Sequence, residues 1–254
     1  MQRLLSYRLA NLQGVGARGR QEDSFVVANA FDVMKIKEEG LLFAVCDGMG
    51  GMADGALASQ TAVASLRSSF QSMDRTGDLA VQLKDAIFTA SSEIEAKIGG
   101  DGGSTVVMGI VYNEKLYYAS VGDSFLFLLR NGNLVRMNRE QNLCHQRYAE
   151  EIREGSVNPK DYQEQKEASA LTCFLGMIGL DDIDCSVRPF PLRDGDVLLA
   201  CSDGVGGVLM ECDIKEALSL SGEQDICRYI EQRLVDYNQP NQDNYTALVV
   251  KCLY

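Results

Sequence analysis

Two rhythms of apolar residues divide the chain. Short runs dense in Val, Leu, Phe and Ala predict strands: "DSFVVANAF" from Asp23, "LLFAVCDG" from Leu41, "DVLLACSDG" from Asp196 and "DNYTALVVKCL" from Asp243. The first comes close to period-two alternation, and two of the others stop at an Asp-Gly pair. Between residues 103 and 138, strands alternate with tight turns. "GSTVVMGIVY", Asn113-Glu114, "KLYYASVG", "SFLFLL" and Asn131-Gly132 follow one another, a pattern that predicts a meander. A different spacing, one apolar residue every three or four, marks helices at about 54–72 and 78–98, and further helices at 140–154, 213–220 and 223–237. The first two are expected to pair on the outer face of one sheet. Residues 150–172 form the most polar long stretch and hold one of four prolines. No internal repeat, low-complexity tail or second domain interrupts the pattern, so residues 1–254 are expected to form one domain.

Composition narrows the classes. With 46% hydrophobic residues in 254, the chain can bury a substantial core. No apolar run reaches the roughly eighteen residues of a membrane span, and the opening "MQRLLSYRLANLQ" lacks a leader pattern; a cytoplasmic protein with no membrane role is expected. The 24 basic and 36 acidic residues give a net charge of −12 with no basic cluster, which argues against nucleic acid as a partner. Eight cysteines are scattered singly at 46, 144, 173, 185, 201, 212, 227 and 252. Without a C-x-x-C pair they read as reduced core thiols, and with His145 as the one histidine a zinc site is disfavoured.

The stretch "GVGARGRQEDS" contains a formal G-x-G-x-x-G at Gly14, Gly16 and Gly19. A dinucleotide turn needs a helix directly behind it, and "DSFVVANAF" reads as a strand. The glycines therefore belong either to a surface turn or to a loop that carries Arg18, Glu22 and Asp23 to a site built elsewhere. Asp23, Asp47, Asp203 and Asp243 each stand where an apolar run begins or ends. Any one of them could be an ordinary turn residue. Together they point to one polar rim, and carboxylates that meet there need a hard cation, Mn²⁺ or Mg²⁺, to offset their repulsion.

In this order "RGRQEDS", "AVCDGMGGMADGALAS", "GGSTVV", "ASVGDSFLFLLRNGNL", "LLACSDGVGGVL" and "DNYTALVV" resemble the metal-dependent PP2C (PPM) serine/threonine protein phosphatases, most of all their bacterial branch. The resemblance runs from about residue 6 to residue 252. It implies an α+β fold, a four-layer α-β-β-α sandwich of two mainly antiparallel sheets flanked by helices, with residues 150–172 as a flap beside the site. It implies two Mn²⁺ or Mg²⁺ ions held by Asp23, Asp47, the carbonyl of Gly48, Asp203 and Asp243, and a water activated between them that attacks phosphorus. Arg18 is then the phosphate-binding arginine, with Arg20 as the alternative, and Glu22 and Asp123 are supporting residues, the latter beside Ser124.

A weaker third ion would use Asp203 and Glu140, at a position where bacterial relatives usually carry an Asp followed by His. Here Glu140 precedes Gln141. Met49 stands where some relatives have a His, and Met52 and Ala56 also depart from the bacterial pattern. The implied partners are phosphoproteins, the targets of a Ser/Thr kinase, met by a monomer. The alternative is a non-catalytic member that binds phosphoproteins or regulates without turnover.

Overall fold

Strand β3 (Leu41–Cys46) shows why the chain carries unbroken apolar runs. Its odd residues Leu41, Phe43 and Val45 enter a core between two sheets, while Leu42, Ala44 and Cys46 enter a second core beneath helices. A strand covered on both faces has no polar side to write into the sequence. Strand β12 (Val197–Cys201) repeats the arrangement, with Leu198 and Ala200 in the inter-sheet core and Val197, Leu199 and Cys201 facing another helix pair.

The computed structural model describes residues 4–50, 54–99, 102–155 and 170–254. One five-stranded sheet runs in the order β1 (Ser6–Gly14), β13 (Tyr245–Leu253), β12, β8 (Phe125–Arg130), β9 (Asn133–Arg136). The other has six strands: β10 (Asp184–Cys185), β7 (Lys115–Val121), β6 (Val106–Tyr112), β3 and β2 (Ser24–Ala28), with β11 (Phe190–Pro191) also on β7. Strands β4 (Gly48–Gly50) and β5 (Gly102–Ser104) form a separate ribbon.

Helices α2 (Asp54–Ser72) and α3 (Leu79–Ile98) pack on the six-stranded sheet through Ala62, Leu66, Phe70, Leu83, Ile87 and Ile94. Asp78 caps α3 by accepting from the backbone N–H groups of Ala80 and Val81. A single turn, α5 (Asp203–Gly206), follows β12, and helices α6 (Glu211–Leu218) and α7 (Glu223–Tyr237) cover the five-stranded sheet through Ile214, Leu218, Ile226, Ile230 and Leu234. The layers are therefore α-β-β-α, as the resemblance implied.

Three details differ from expectation. The 103–138 meander is two hairpins: β6 and β7 lie in one sheet and β8 and β9 in the other. The chain changes sheets at residues 122–124, where Gly122 takes φ +101°, a conformation that side chains resist. Helix α1 (Val33–Glu39), capped by Asp32, was not expected because seven residues carry too little periodicity to register. Helix α4 (Leu143–Glu154) starts three residues late, its cap being Asn142. Of the proposed flap, residues 156–169 lie outside the described residues, as does Met52. No helix among the described residues is long and apolar enough to cross a membrane.

Candidate active site

Register brings the four aspartates to one end of the sandwich. Ser24 pairs with Cys46 across β2 and β3, so Asp23 and Asp47 stand side by side just beyond the strand ends. Cys201 pairs with Ala247 across β12 and β13, which sets Asp203 and Asp243 on the same rim of the other sheet. Ser202 links the two sheets there: its Oγ donates to Asp23 Oδ2 at 2.8 Å and accepts from the Thr246 backbone N–H at 2.9 Å.

The glycines beside these residues are fixed by crowding. A Cβ on Gly48 would lie 2.1 Å from the Gly55 carbonyl oxygen and 2.5 Å from that of Glu22. On Gly204, beside Asp203, it would lie 1.9 Å from the Asn244 carbonyl oxygen. At residues 14–19 a strand precedes the turn and β2 follows it, so no helix is present to bind a pyrophosphate. Gly16, at φ +63°, instead lies against the Asp243 backbone, where a Cβ would come within 2.3 Å of its carbonyl oxygen.

That close approach sets Arg18 over the site. Its Nη2 donates to Asp243 Oδ2 at 2.7 Å, with 58% of the arginine side chain exposed. Arg20 pairs with Glu22 at 2.9 Å. The loop is held by Asn244, a residue that sequence reasoning missed. Asn244 Oδ1 accepts from the Glu22 N–H at 2.7 Å, and its Nδ2 donates to the carbonyls of Val15 and Arg20 at 2.8 and 3.0 Å. Thr105 does comparable work for Asp47, since its Oγ1 accepts from the Asp47 N–H at 3.1 Å and its own N–H donates to the Asp47 carbonyl at 2.8 Å.

The electrostatics are those of carboxylates held too close. Burial pushes the Asp23 carboxyl up to about 6, against the opposing hydrogen bonds from Thr246 and Ser202. Asp47 is raised by burial and then by the charges of Asp23 and Asp203. Asp203 is raised by burial, which outweighs its hydrogen bond with Asp47. Asp123, on the turn between the sheets, is pushed up to about 7 by burial and then by Asp203. Asp23 Oδ1 and Asp203 Oδ1 are both buried with no hydrogen-bond partner among the described residues.

As they stand, no three of the described acidic, imidazole or thiol groups surround a single ion position; the contacts are pairwise, and Asp243 is turned to Arg18. The donor set nevertheless fits hard divalent cations. It consists of carboxylate oxygens, two of them buried and unpaired, whose mutual repulsion a cation would relieve.

Asp123, Glu140, Asp203 and Asp243 line a cleft of about 510 Å³ together with Phe125. Glu140 is paired with Arg136 and accepts from Asn142 Nδ2 at 2.7 Å. Gln141 is committed elsewhere: its Oε1 accepts from the Gly122 N–H at 2.7 Å and its Nε2 donates to the Asp182 carbonyl at 2.8 Å. His145 lies in the first turn of α4 and lines a separate groove. Met49 sits in the β4 ribbon and Ala56 in the first turn of α2. No disulfide joins the eight cysteines, all of which are among the described residues, and five are buried. Burial pushes the Cys46 and Cys201 thiols well up, so neither supplies a thiolate at neutral pH.

Linkage turns the raised carboxyls into an expected result. A carboxyl whose folded pKa lies above its unfolded value stabilises the fold fully only below the unfolded value, and that contribution is lost as pH rises through the folded one. Without added cation, the melting temperature should therefore fall as pH rises from about 4 to about 7, the window between the unfolded carboxylate value and the raised Asp23 and Asp123 values. Mn²⁺ at about a hundred times its dissociation constant should restore about 2.7 kcal/mol at pH 7.5, roughly 5–10 °C for a chain of this size, and less at pH 5.5. A melting temperature indifferent to both pH and Mn²⁺ would count against a shared carboxylate site.

A model of the protein phosphatase 2C family matches residues 8–153. The serine/threonine phosphatase stp of Listeria monocytogenes is 29% identical over 231 residues, which cover 86% of this chain and 87% of that protein. Among solved structures, PppA, a key regulatory component of the T6SS in Pseudomonas aeruginosa, superposes with a TM-score of 0.79 at 24% identity, covering 98% of both chains. The catalytic domain of the phosphatase PstP in complex with two manganese ions gives 0.76 at 25% identity, covering 99% of this chain and all of that one.

Proposed function

Because the chain belongs to the protein phosphatase 2C family, we propose that it is a divalent-metal-dependent protein phosphatase that hydrolyses phosphoserine and phosphothreonine by direct attack of water. The observation that carries this reading is the delivery of Asp23, Asp47, Asp203 and Asp243 to one rim from four strand ends, with Arg18 above them. The manganese-bound relative supports the choice of cation.

Two Mn²⁺ or Mg²⁺ ions, held by the four aspartates and the Gly48 carbonyl, would supply an acidified water at neutral pH and positive charge for the phosphoryl oxygens. The protein's own residues do the rest. Arg18 presents a planar fork that can take two phosphoryl oxygens, which a lysine cannot. It is mostly exposed at the mouth of the cleft, and its partner Asp243 holds it in place. Ser202 keeps Asp23 aimed across the junction of the sheets, and Thr105 fixes the backbone of Asp47. Cys46 and Cys201, whose thiols burial keeps protonated, do not supply a nucleophile for a phosphoenzyme. The substrates are phosphoproteins, the products of a Ser/Thr kinase.

Hydrolysis of p-nitrophenyl phosphate and of a phosphothreonine peptide tests the reading, measured with Mn²⁺, with Mg²⁺ and with EDTA. Turnover that requires the metal is expected. Manganese binding without turnover of either substrate would overturn the catalytic reading in favour of a phosphoprotein-binding or regulatory role.

A further inference from the structure

The Gly204 carbonyl is passed over by the main-chain hydrogen bonds of the α5 turn. The Ser202 carbonyl accepts from the Val205 and Gly206 N–H groups at 3.1 and 3.0 Å, and that of Asp203 accepts from Gly207 at 2.7 Å. A continuing α-helix would send the Val208 N–H to Gly204. It goes to the Val205 carbonyl instead, at 3.2 Å. A side chain from the start of β13 fills the gap: Gln242 Nε2 donates to the Gly204 carbonyl at 2.9 Å, and more weakly to that of Asp243 at 3.3 Å.

The other side of Gly204 serves Asp203, because its N–H hydrogen-bonds to the Asp203 carboxylate and lowers it against the effect of burial. Gln242 therefore reaches that carboxylate in two steps, amide to carbonyl and N–H to carboxylate. Its main chain serves a different loop, since its carbonyl accepts from the Ala17 N–H at 2.8 Å, one residue before Arg18. Both Gln242 and Gly204 line the cleft. The remaining amide atom does nothing for the fold: Gln242 Oε1 is buried with no hydrogen-bond partner among the described residues, which costs stability. A glutamine here is a local choice that folding alone does not favour.

We propose that the side chain of Gln242 is a positioning residue for Asp203, fixing the Gly204 peptide and through it one of the carboxylates that would hold the cations. The inference rests on the two-metal phosphatase reading. It divides one residue between two tasks: the amide sets a metal ligand, and the main-chain carbonyl helps to seat the loop of Arg18. A substitution removes only the first.

Gln242→Met keeps the length of the side chain and removes its amide. Its Mn²⁺ affinity, measured by equilibrium dialysis with no substrate present, should be about 10–100-fold below wild type, the range for residues that orient a ligand without touching the ion. With Mn²⁺ saturating for each protein, KM for a phosphothreonine peptide should stay within about twofold, because the Ala17 bond and Asn244 still hold the loop. The melting temperature in EDTA should fall by no more than about 4 °C. A hydrogen bond is lost, but the unpaired Oε1 goes with it, and the freed carbonyl belongs to a residue that lines the cleft.

A side chain that only braced the turn would lower the melting temperature and leave the Mn²⁺ affinity alone. The proposal is overturned if Gln242→Met loses less than about tenfold in Mn²⁺ affinity, if its peptide KM rises beyond that twofold range, or if it melts lower than stated or fails to fold. A wild type that binds no Mn²⁺ overturns the two-metal reading together with this proposal; one that binds Mn²⁺ no more tightly than Gln242→Met overturns the proposal alone. Mn²⁺ binding without turnover removes the catalytic reading and leaves the affinity comparison to decide.

Discussion

Asp47→Asn is expected to lower kcat/KM on a phosphothreonine peptide by about a thousandfold or more, while raising the melting temperature of the metal-free protein at pH 7.5. Asp47 stands between Asp23 and Asp203, and after burial it is their charges that push its carboxyl up. Asparagine keeps the shape and removes the charge. The backbone bonds at this position run to Thr105 and Ser104 and do not involve the carboxylate, so the local fold should survive.

The loss of activity is scaled from two effects. Residues that only orient a metal ligand typically contribute 10–100-fold, and one donor aimed at developing charge about 10²–10³-fold; a residue that would itself touch the ions should reach the upper end. The gain in stability follows from the repulsion removed, at about 2–4 °C for each kcal/mol. Steady-state kinetics in saturating Mn²⁺ and a thermal melt in EDTA check the two halves. A variant that is inactive and also less stable would make Asp47 a structural residue and remove the main support for a functional carboxylate cluster.

The same conflict explains why these aspartates were legible in the sequence. An Asp at the end of a run that is buried on both faces, as at Cys46-Asp47 and Ser202-Asp203, is a local choice that folding alone does not favour. Four such positions could be noticed without knowing the pairing. Their convergence could not be read, because it depends on register: Ser24 opposite Cys46, Cys201 opposite Ala247. The change of sheets at residues 122–124 was hidden for a related reason. A Gly followed by polar residues marks a hairpin and a crossing in the same way, and only the partner strand distinguishes them.

Arg136 and Asn244 were silent for a different reason. An arginine on a short edge strand reads as a solvated charge, and an asparagine beside an aspartate reads as the start of a turn. Nothing local reveals that one lies over Phe125 or that the other reaches across to residues 15–22.

Asn244 therefore carries the second large expectation. Asn244→Ala should cost about 2–4 kcal/mol of stability, from three lost hydrogen bonds at about 1 kcal/mol each and the penalty for any partner left buried and unpaired. The melting temperature should fall by roughly 5–15 °C. Asn244 is 4% exposed, and the Glu22 N–H and the Val15 and Arg20 carbonyls that it serves lie in the loop presenting Arg18. The Ala17 N–H to the Gln242 carbonyl, at 2.8 Å, and the close seat of Gly16 on Asp243 would be left to hold that loop.

A loosened loop should raise KM for the phosphothreonine peptide by tenfold or more, because Arg18 would no longer be set in place beside Asp243. Asn244→Asp separates the two functions of the side chain: it keeps the acceptor for Glu22 and loses both donors, so an intermediate loss of stability is expected. Melting curves and peptide kinetics at a temperature where both variants remain folded make the measurement. A destabilised Asn244→Ala protein with an unchanged KM would mean that Arg18 finds its position without the loop, and that Asp243 alone sets where the phosphoryl group can be gripped.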